Sequence, residues 1–282
     1  GIYTSKAPPR QVADGILERF LGDLETRFAD ARDLRIARVR FLESRDAAEA
    51  LARAEHLATD FPWDAELARL RGRCLRAVDR RDDERLALEE VLARYPNDAA
   101  AWVQLGSSYE DDGRLADART SYERGLARVP GNAYLHGWLA DVQWKLGERD
   151  AALASIARAC ELDRDYAWAF GRFVLWLGAV GREIDALAVA EELVRSNPRW
   201  AVAHDVHATA LGQLGRHAER LDALRAALAI DPRIGHAREG LIDGLVELKR
   251  FDEARAVVAQ GLHLLGDDHD LALVDARILR TQ

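Results

Sequence analysis

Among the side chains whose types and spacing could do chemistry, His204 and His207 stand out: they lie three residues apart with Asp205 between them. On a helix this spacing puts two imidazoles on one face, where both can reach one metal ion. Catalysis needs more, a set of acid, base, nucleophile or metal ligands converging on one pocket. The sequence has no Gly-x-Ser-x-Gly elbow, no phosphate loop, no His-Glu-x-x-His and no Cys-x-x-Cys. Acidic runs such as Glu110-Asp111-Asp112 and Asp267-Asp268 read as solvated charge at turns or helix ends, and Arg80-Arg81-Asp82-Asp83 as a turn of mixed sign. The expectation is therefore a chain that is not an enzyme, with no catalytic residue, no metal and no cofactor, in which the two histidines serve packing.

Composition narrows the class further. Of 282 residues 49% are hydrophobic, enough to bury a sizeable core. The net charge of −8 and a pI near 5.6, with acids and bases interspersed, argue against a general binder of nucleic acid or anionic membrane. No run approaches the roughly 20 apolar residues that cross a bilayer, and the N-terminus lacks the apolar centre of a signal peptide. A soluble protein without membrane insertion is expected, with the cytoplasm favoured. Gly1 stands where an initiator Met would be and no Met occurs, which points to a trimmed precursor whose first residues carry no address. Lys occurs only at 6, 145 and 249, the remaining basic residues being Arg, as in proteins of GC-rich bacterial genomes.

The elements that would position any site follow from a repeat. Pro62, Pro96, Pro130, Pro198 and Pro232 are separated by 34, 34, 68 and 34 residues, the absent member falling at Arg164. With Ala99 as position 1, Trp102, Leu105, Gly106 and Tyr109 form one helical face and Gly113 marks a turn. Ala118, Tyr122, Gly125 and Leu126 form the next face, closed by Pro130. Small residues recur at position 8 (Gly72, Gly106, Ala140, Ala208) and position 20 (Ala50, Ala118, Ala152, Ala186, Ala254), where two helices can approach closely. Glu84 and Arg220 break the rule at position 20, so those hairpins should splay slightly or let the long side chains snorkel to water; alternatively they flank a bend or touch a partner. Cys74 and Cys160 fall more than two repeats apart, beyond disulfide reach, and read as small buried residues, which mildly favours a reducing compartment.

This pattern resembles the tetratricopeptide repeat family, whose signature is Trp-x2-Leu-Gly-x2-Tyr followed by Ala-x3-Phe, Ala and Pro. The resemblance implies an all-α, right-handed α-solenoid (superhelix) of antiparallel helix pairs. Seven units are expected, at 31–64, 65–98, 99–132, 133–166, 167–200, 201–234 and 235–268. Residues 1–30 would form a tail and capping helix, with Ile16, Phe20 and Leu24 at helical spacing. Residues 269–282 would form a C-terminal capping helix, with Leu271, Val274, Ile278 and Leu279. The 34-residue period separates the array from the 35-residue pentatricopeptide repeats that read RNA.

The resemblance also implies a concave groove lined by positions 2, 5, 9, 12 and 13 of each first helix. Mapped onto this chain, the first two units present a basic patch of Arg32, Arg35, Arg69, Arg73 and Arg76, able to take an acidic segment. The middle presents Tyr134, Asp141, Trp144, Lys145, Trp168, Arg172 and Leu175 over Gly137, Gly171 and Gly178. Beyond it come Asp205, Thr209, Gln213, His236, Glu239, Asp243 and Glu247. The expected peptide groove comprises Tyr134, Asp141, Trp144, Lys145, Trp168, Arg172, Leu175, Asp205 and Thr209. Trp144 and Trp168 are its anchors, because the repeat's own packing has no use for a Trp at groove positions. The three glycines either leave room for a ligand or relieve crowding among Trp138, Trp168, Phe170, Phe173 and Trp176. The Lys and Asn clamp by which some co-chaperone domains of the family hold a terminal carboxylate is not reproduced: its positions carry Arg35, Val39, Arg69, Arg73, Val103 and Ser107.

The reading that follows is a scaffold that holds a protein or peptide partner in its groove. The alternative is a non-catalytic arm that recruits substrates for a longer enzyme, such as a glycosyl- or sulfotransferase-like chain. Nucleic-acid binding through the Arg-rich units is the remote third. An unfinished solenoid end or an exposed Trp surface would also permit symmetric self-association.

Overall fold

The computed structural model describes residues 10–28 and 31–265, and among these it holds fifteen helices and no strand. A leading helix α1 (Arg10–Arg27) precedes the hairpins α2/α3 (Arg32–Leu42, Ala47–Asp60), α4/α5 (Ala65–Ala77, Arg81–Arg94) and α6/α7 (Ala99–Asp111, Leu115–Arg128). The series continues with α8/α9 (Ala133–Lys145, Arg149–Leu162), α10/α11 (Ala167–Ala179, Glu183–Ser196), α12/α13 (Ala201–Gln213, His217–Ile230) and α14/α15 (Gly235–Glu247, Phe251–Leu265). The chain divides into two compact units, the first ending at Trp138 and the second beginning at Leu139. The fold is an all-α helical repeat of the solenoid class.

The hairpins close where one helix carries a small side chain or none at all. An added Cβ on Gly106 would lie 2.2 Å from the ring of Tyr122, which is fully buried and donates its hydroxyl to Glu110 (2.7 Å). Ala50, Ala118, Ala152, Ala186 and Ala254, all at position 20, are fully buried. In six of the hairpins the reversal between the two helices falls at position 15 in a left-handed backbone: Gly113, Gly147, Gly181 and Gly215 have φ between +68° and +84°. Asp79 and Lys249 adopt the same conformation at this position with φ of 60° and 57°.

A second recurrent contact ties four of the hairpins to the loop before them. At position 4, the Trp102 indole N–H donates to the carbonyl of Pro96 (2.8 Å) and Arg238 donates to that of Pro232. His136 and His204 place Nε2 3.0 Å from the carbonyls of Pro130 and Pro198. Where Arg164 stands in for Pro, position 4 is Phe170, which has no donor. The loops also supply helix caps: the carboxylates of Asp46, Asp64 and Asp98 and the amide oxygen of Asn132 each accept a backbone N–H three residues on, at 2.9–3.1 Å.

Three sequence expectations are corrected. Glu84 does not snorkel: it is fully buried, held by Arg76 Nε at 3.0 Å and by the Ser108 hydroxyl at 2.8 Å. A buried carboxylate survives only with such partners. Arg220 needs no splayed hairpin either, because its chain runs over glycine: Cδ lies 3.3 Å from where Gly212 would carry a Cβ, and Nη1 3.8 Å from the same point on Gly244. In α1, Leu21 is buried in the first unit's core, whereas Ile16 and Phe20, expected on the packing face, are exposed. The C-terminal helix expected after residue 269 lies outside the described residues.

Replacing Gly106 with Ala gains helix propensity of about 1 kcal/mol but forces Tyr122 aside in a filled core, at about 1–3 kcal/mol. Urea unfolding is expected to show a net loss of about 1 kcal/mol for Gly106→Ala, and a gain would contradict the close-approach role.

Candidate functional site

The Arg-rich first unit is not an open basic surface. Each arginine of the expected patch faces a carboxylate: Arg32 meets Asp64, Arg35 meets Asp60 (2.7 Å), Arg69 meets Asp98, Arg73 meets Glu43 (2.8 Å) and Arg76 meets Glu84 (3.0 Å). Asp64 and Asp98 already cap the next hairpin's first helix, so Arg32 and Arg69 join successive repeats through the cap itself. The hydrogen bond from Arg32 holds the Asp64 carboxyl below its usual range, together with the capping N–H of Leu67 and against the larger opposing effect of burial. The expected patch for an acidic segment is thus corrected to a set of arginines already paired with carboxylates, Arg32 and Arg69 through the next helix's cap, Arg73 to the preceding hairpin, and Arg35 and Arg76 within their own hairpins. Tyr134, also in this unit, is 54% exposed.

In the second unit the two tryptophans part ways. Trp144 is half-buried against the core and stacks on buried Trp176 with ring centroids 4.7 Å apart and planes at 5°, while Arg149 lies 3.9 Å over its ring. The expectation that Trp144 stands free of the repeat's packing is corrected: it is part of that packing. Lys145 and Asp141 pair with each other at 2.7 Å. Trp168 is exposed and stacks on Tyr166 with ring centroids 5.7 Å apart and planes at 26°, with the Arg172 guanidinium 5.5 Å from its ring.

Trp168, Arg172 and Leu175 share one stripe of α10 by their spacing, and Leu175, 46% exposed, opens onto a cavity of about 590 Å³. Its wall comes from α10, α12, α13 and α14, and it brings together Leu175, Asp205 and Thr209 of the expected groove. Trp144, Lys145 and Asp141 do not reach it. The Asp205 carboxylate lies 3.2 Å from His236 Nδ1, and the Thr209 hydroxyl donates to the Asp205 carbonyl (3.2 Å). Burial holds the Asp205 carboxyl above its ordinary range, opposed by the neighbouring imidazole. Arg220 lines the cavity and stands 3.7 Å from Glu247 at its far side. Sequence reasoning placed Arg220 only as a departure from pattern, and missed Leu224; Gly212, Gly240 and Gly244 around the arginine were the available clue.

The three groove glycines separate on this geometry. Gly137 is buried. Gly178 makes room for Gln213, whose side-chain amide would lie 2.3–2.5 Å from an added Cβ and donates to the Val174 carbonyl (3.2 Å). Gly171 alone of the three opens to space, with nothing within 4 Å of an added Cβ, and it lines the cavity.

The two histidines that open the question of metal binding have other surroundings to answer to. His204 is engaged with Pro198, and burial lowers the pKa of His207. Among the described residues no three His, Cys, Asp or Glu side chains are grouped to hold a metal ion, and no helix is long and apolar enough to cross a membrane.

Comparison with known proteins bears on the repeat itself. The tetratricopeptide repeat family profile matches residues 85–133 and 103–167. These are tetratricopeptide repeats. A tetratricopeptide repeat protein from Parabacteroides merdae superposes with a TM-score of 0.55 at 17% identity, over 77% of this chain and 86% of that one. The Cut9–Hcn1 hetero-tetramer of the APC/C gives 0.51 at 14% identity, over 92% of this chain and 51% of that one. Both are likenesses of fold. In sequence, Protein FlbA of Caulobacter vibrioides is 24% identical over 231 residues, which is 81% of this chain. The chain spans 38% of the length of that relative. Tetratricopeptide repeats support a protein-interaction scaffold, and the fold is typically non-catalytic.

Burial also fixes the chemistry of the two thiols. Desolvation pushes Cys74 and Cys160 up to about 12, so both stay protonated at neutral pH. At pH 8 a thiol-exchange reagent such as Ellman's is expected to titrate neither in the folded protein and both in denaturant; rapid reaction before unfolding would contradict their placement.

Proposed function

We propose that the second unit binds an extended segment of a partner polypeptide along α10, in the cavity that Gly171 opens. The observation that carries this reading is that cavity, in the size range of about 300–1,000 Å³ usual for ligand sites, at a groove glycine where an added Cβ would meet no neighbouring atom. Leu175, Val206 and Leu224 give it apolar wall. Asp205, Thr209, His236 and Arg220 converge as donors and acceptors that fix the orientation of a peptide backbone. Trp168 with Arg172 extends the stripe toward the start of α10, where an exposed aromatic and a guanidinium without a carboxylate partner among the described residues can anchor the segment. The working site is therefore Trp168, Gly171, Arg172, Leu175, Asp205, Thr209, Arg220 and His236.

Filling the cavity tests the reading without disturbing the fold. Gly171→Trp places a ring where an added Cβ meets nothing, and it gains about 0.5 kcal/mol of helix propensity. Capture of partners from the source organism's lysate is expected to fall to background while thermal stability is unchanged or raised. Undiminished capture by a stably folded variant would remove the cavity from the mechanism.

A further inference from the structure

One inter-repeat cleft in the first unit departs from its counterparts at three positions at once. Position 4, which carries Trp102, His136, Phe170, His204 and Arg238 in later repeats, is Ala68. Position 7, occupied by Leu105, Leu139, Phe173 and Leu241 in four other repeats, is Arg71. Position 33 is a turn residue, elsewhere Asn97, Gly131, Asp165, Arg199 or Arg233; here it is Trp63, 63% exposed. The missing ring at position 4 and the exposed indole leave a cavity of about 480 Å³ between α4 and α5, walled by Phe61, Trp63, Ala68, Arg71, Val91 and Arg94. The matching cleft three repeats on has Phe170 and Phe173 at positions 4 and 7, and measures about 360 Å³.

Charge gives this cleft its character. The groove arginines of the same unit all have carboxylate partners, but Arg71 has none among the described residues although it is half-buried. A partly desolvated guanidinium with no counter-charge carries a cost that no carboxylate among the described residues offsets. Arg94 likewise has no carboxylate; its guanidinium lies 3.6 Å over the Trp63 ring and 6.0 Å from that of Tyr95. Of the acids in the wall, Asp64 is held by Arg32 and caps α4, and Glu90 pairs with neither arginine.

We propose that this cleft is a second docking site, taking an acidic segment of a partner polypeptide: a carboxylate enters between Arg71 and Arg94, and the adjoining apolar residue lies on Trp63. Two cations without a carboxylate partner among the described residues, beside an exposed aromatic and a cavity walled in part by Phe61 and Val91, complement an acidic residue next to an apolar one. The site lies in the first unit and does not depend on the cavity at Gly171.

The test uses two synthetic peptides, acetyl-Gly-Glu-Leu-Glu-Gly-amide and its counterpart with both Glu replaced by Lys, titrated into the whole chain. The reporter is the Trp63 indole N–H resonance, assigned through Trp63→Phe. The acidic peptide is expected to shift that resonance saturably and to bind about tenfold or more tightly than the basic one. Arg71→Glu combined with Arg94→Glu is expected to abolish the shift by the acidic peptide and favour the basic one, with the helical circular dichroism retained. Gly171→Trp should leave the titration unchanged. Equal response to both peptides, no saturable shift with either, or an undiminished response in the folded double variant would overturn the proposal.

Discussion

Two helices can lie as close as α6 and α7 only where one of them has no side chain at the crossing. Gly106 leaves that space to the Tyr122 ring, and the buried alanines of position 20 do the same for other hairpins. The approach commits one face of each first helix to its own hairpin, so that what the remaining faces carry decides the surface. The left-handed turn at position 15, present in six hairpins, and the position-4 contact to the preceding loop carbonyl, present in four, then mark where those hairpins turn and begin. Such local devices repeat because each repeat has the same packing problem to solve.

Against that regular background, function is found where the pattern leaves something unfilled. In the second unit Gly171 opens a cavity, whereas Gly178, two turns further along the same stripe, is covered by Gln213. Arg220, too large for position 20, is carried over glycines to the cavity wall. In the first unit the arginines that seem to offer a basic surface are consumed by the caps and acids of neighbouring hairpins. The cations left over, Arg71 and Arg94, stand elsewhere, beside Trp63. Net positive charge in a sequence segment is therefore a poor guide to where an anionic partner would find it.

The repeat was legible because its constraints are local: a proline interval, a turn that needs positive φ, small residues at a crossing. The role of His204 at position 4 was legible as packing for the same reason. The fates of the groove side chains were not, since each depends on a residue about a repeat away. Trp144 is drawn into the core by Trp176, Arg73 is neutralised by Glu43, and the space at Gly178 is taken by Gln213. A helical face tells which way a side chain points, but not which partner from the next hairpin will meet it. Of the expected groove, Leu175, Asp205 and Thr209 come together in one cavity; Trp144, Asp141 and Lys145 are engaged elsewhere.

The most direct measurement is site-specific photo-crosslinking in the source organism, with a benzophenone amino acid at position 171 in the cavity and, for comparison, at position 184, which is 77% exposed on α11 and outside it. A partner segment held along α10 predicts a discrete polypeptide adduct from position 171, mapped by mass spectrometry to one stretch of the partner, and none from position 184. Equal adducts from both positions, or none from position 171, would contradict it.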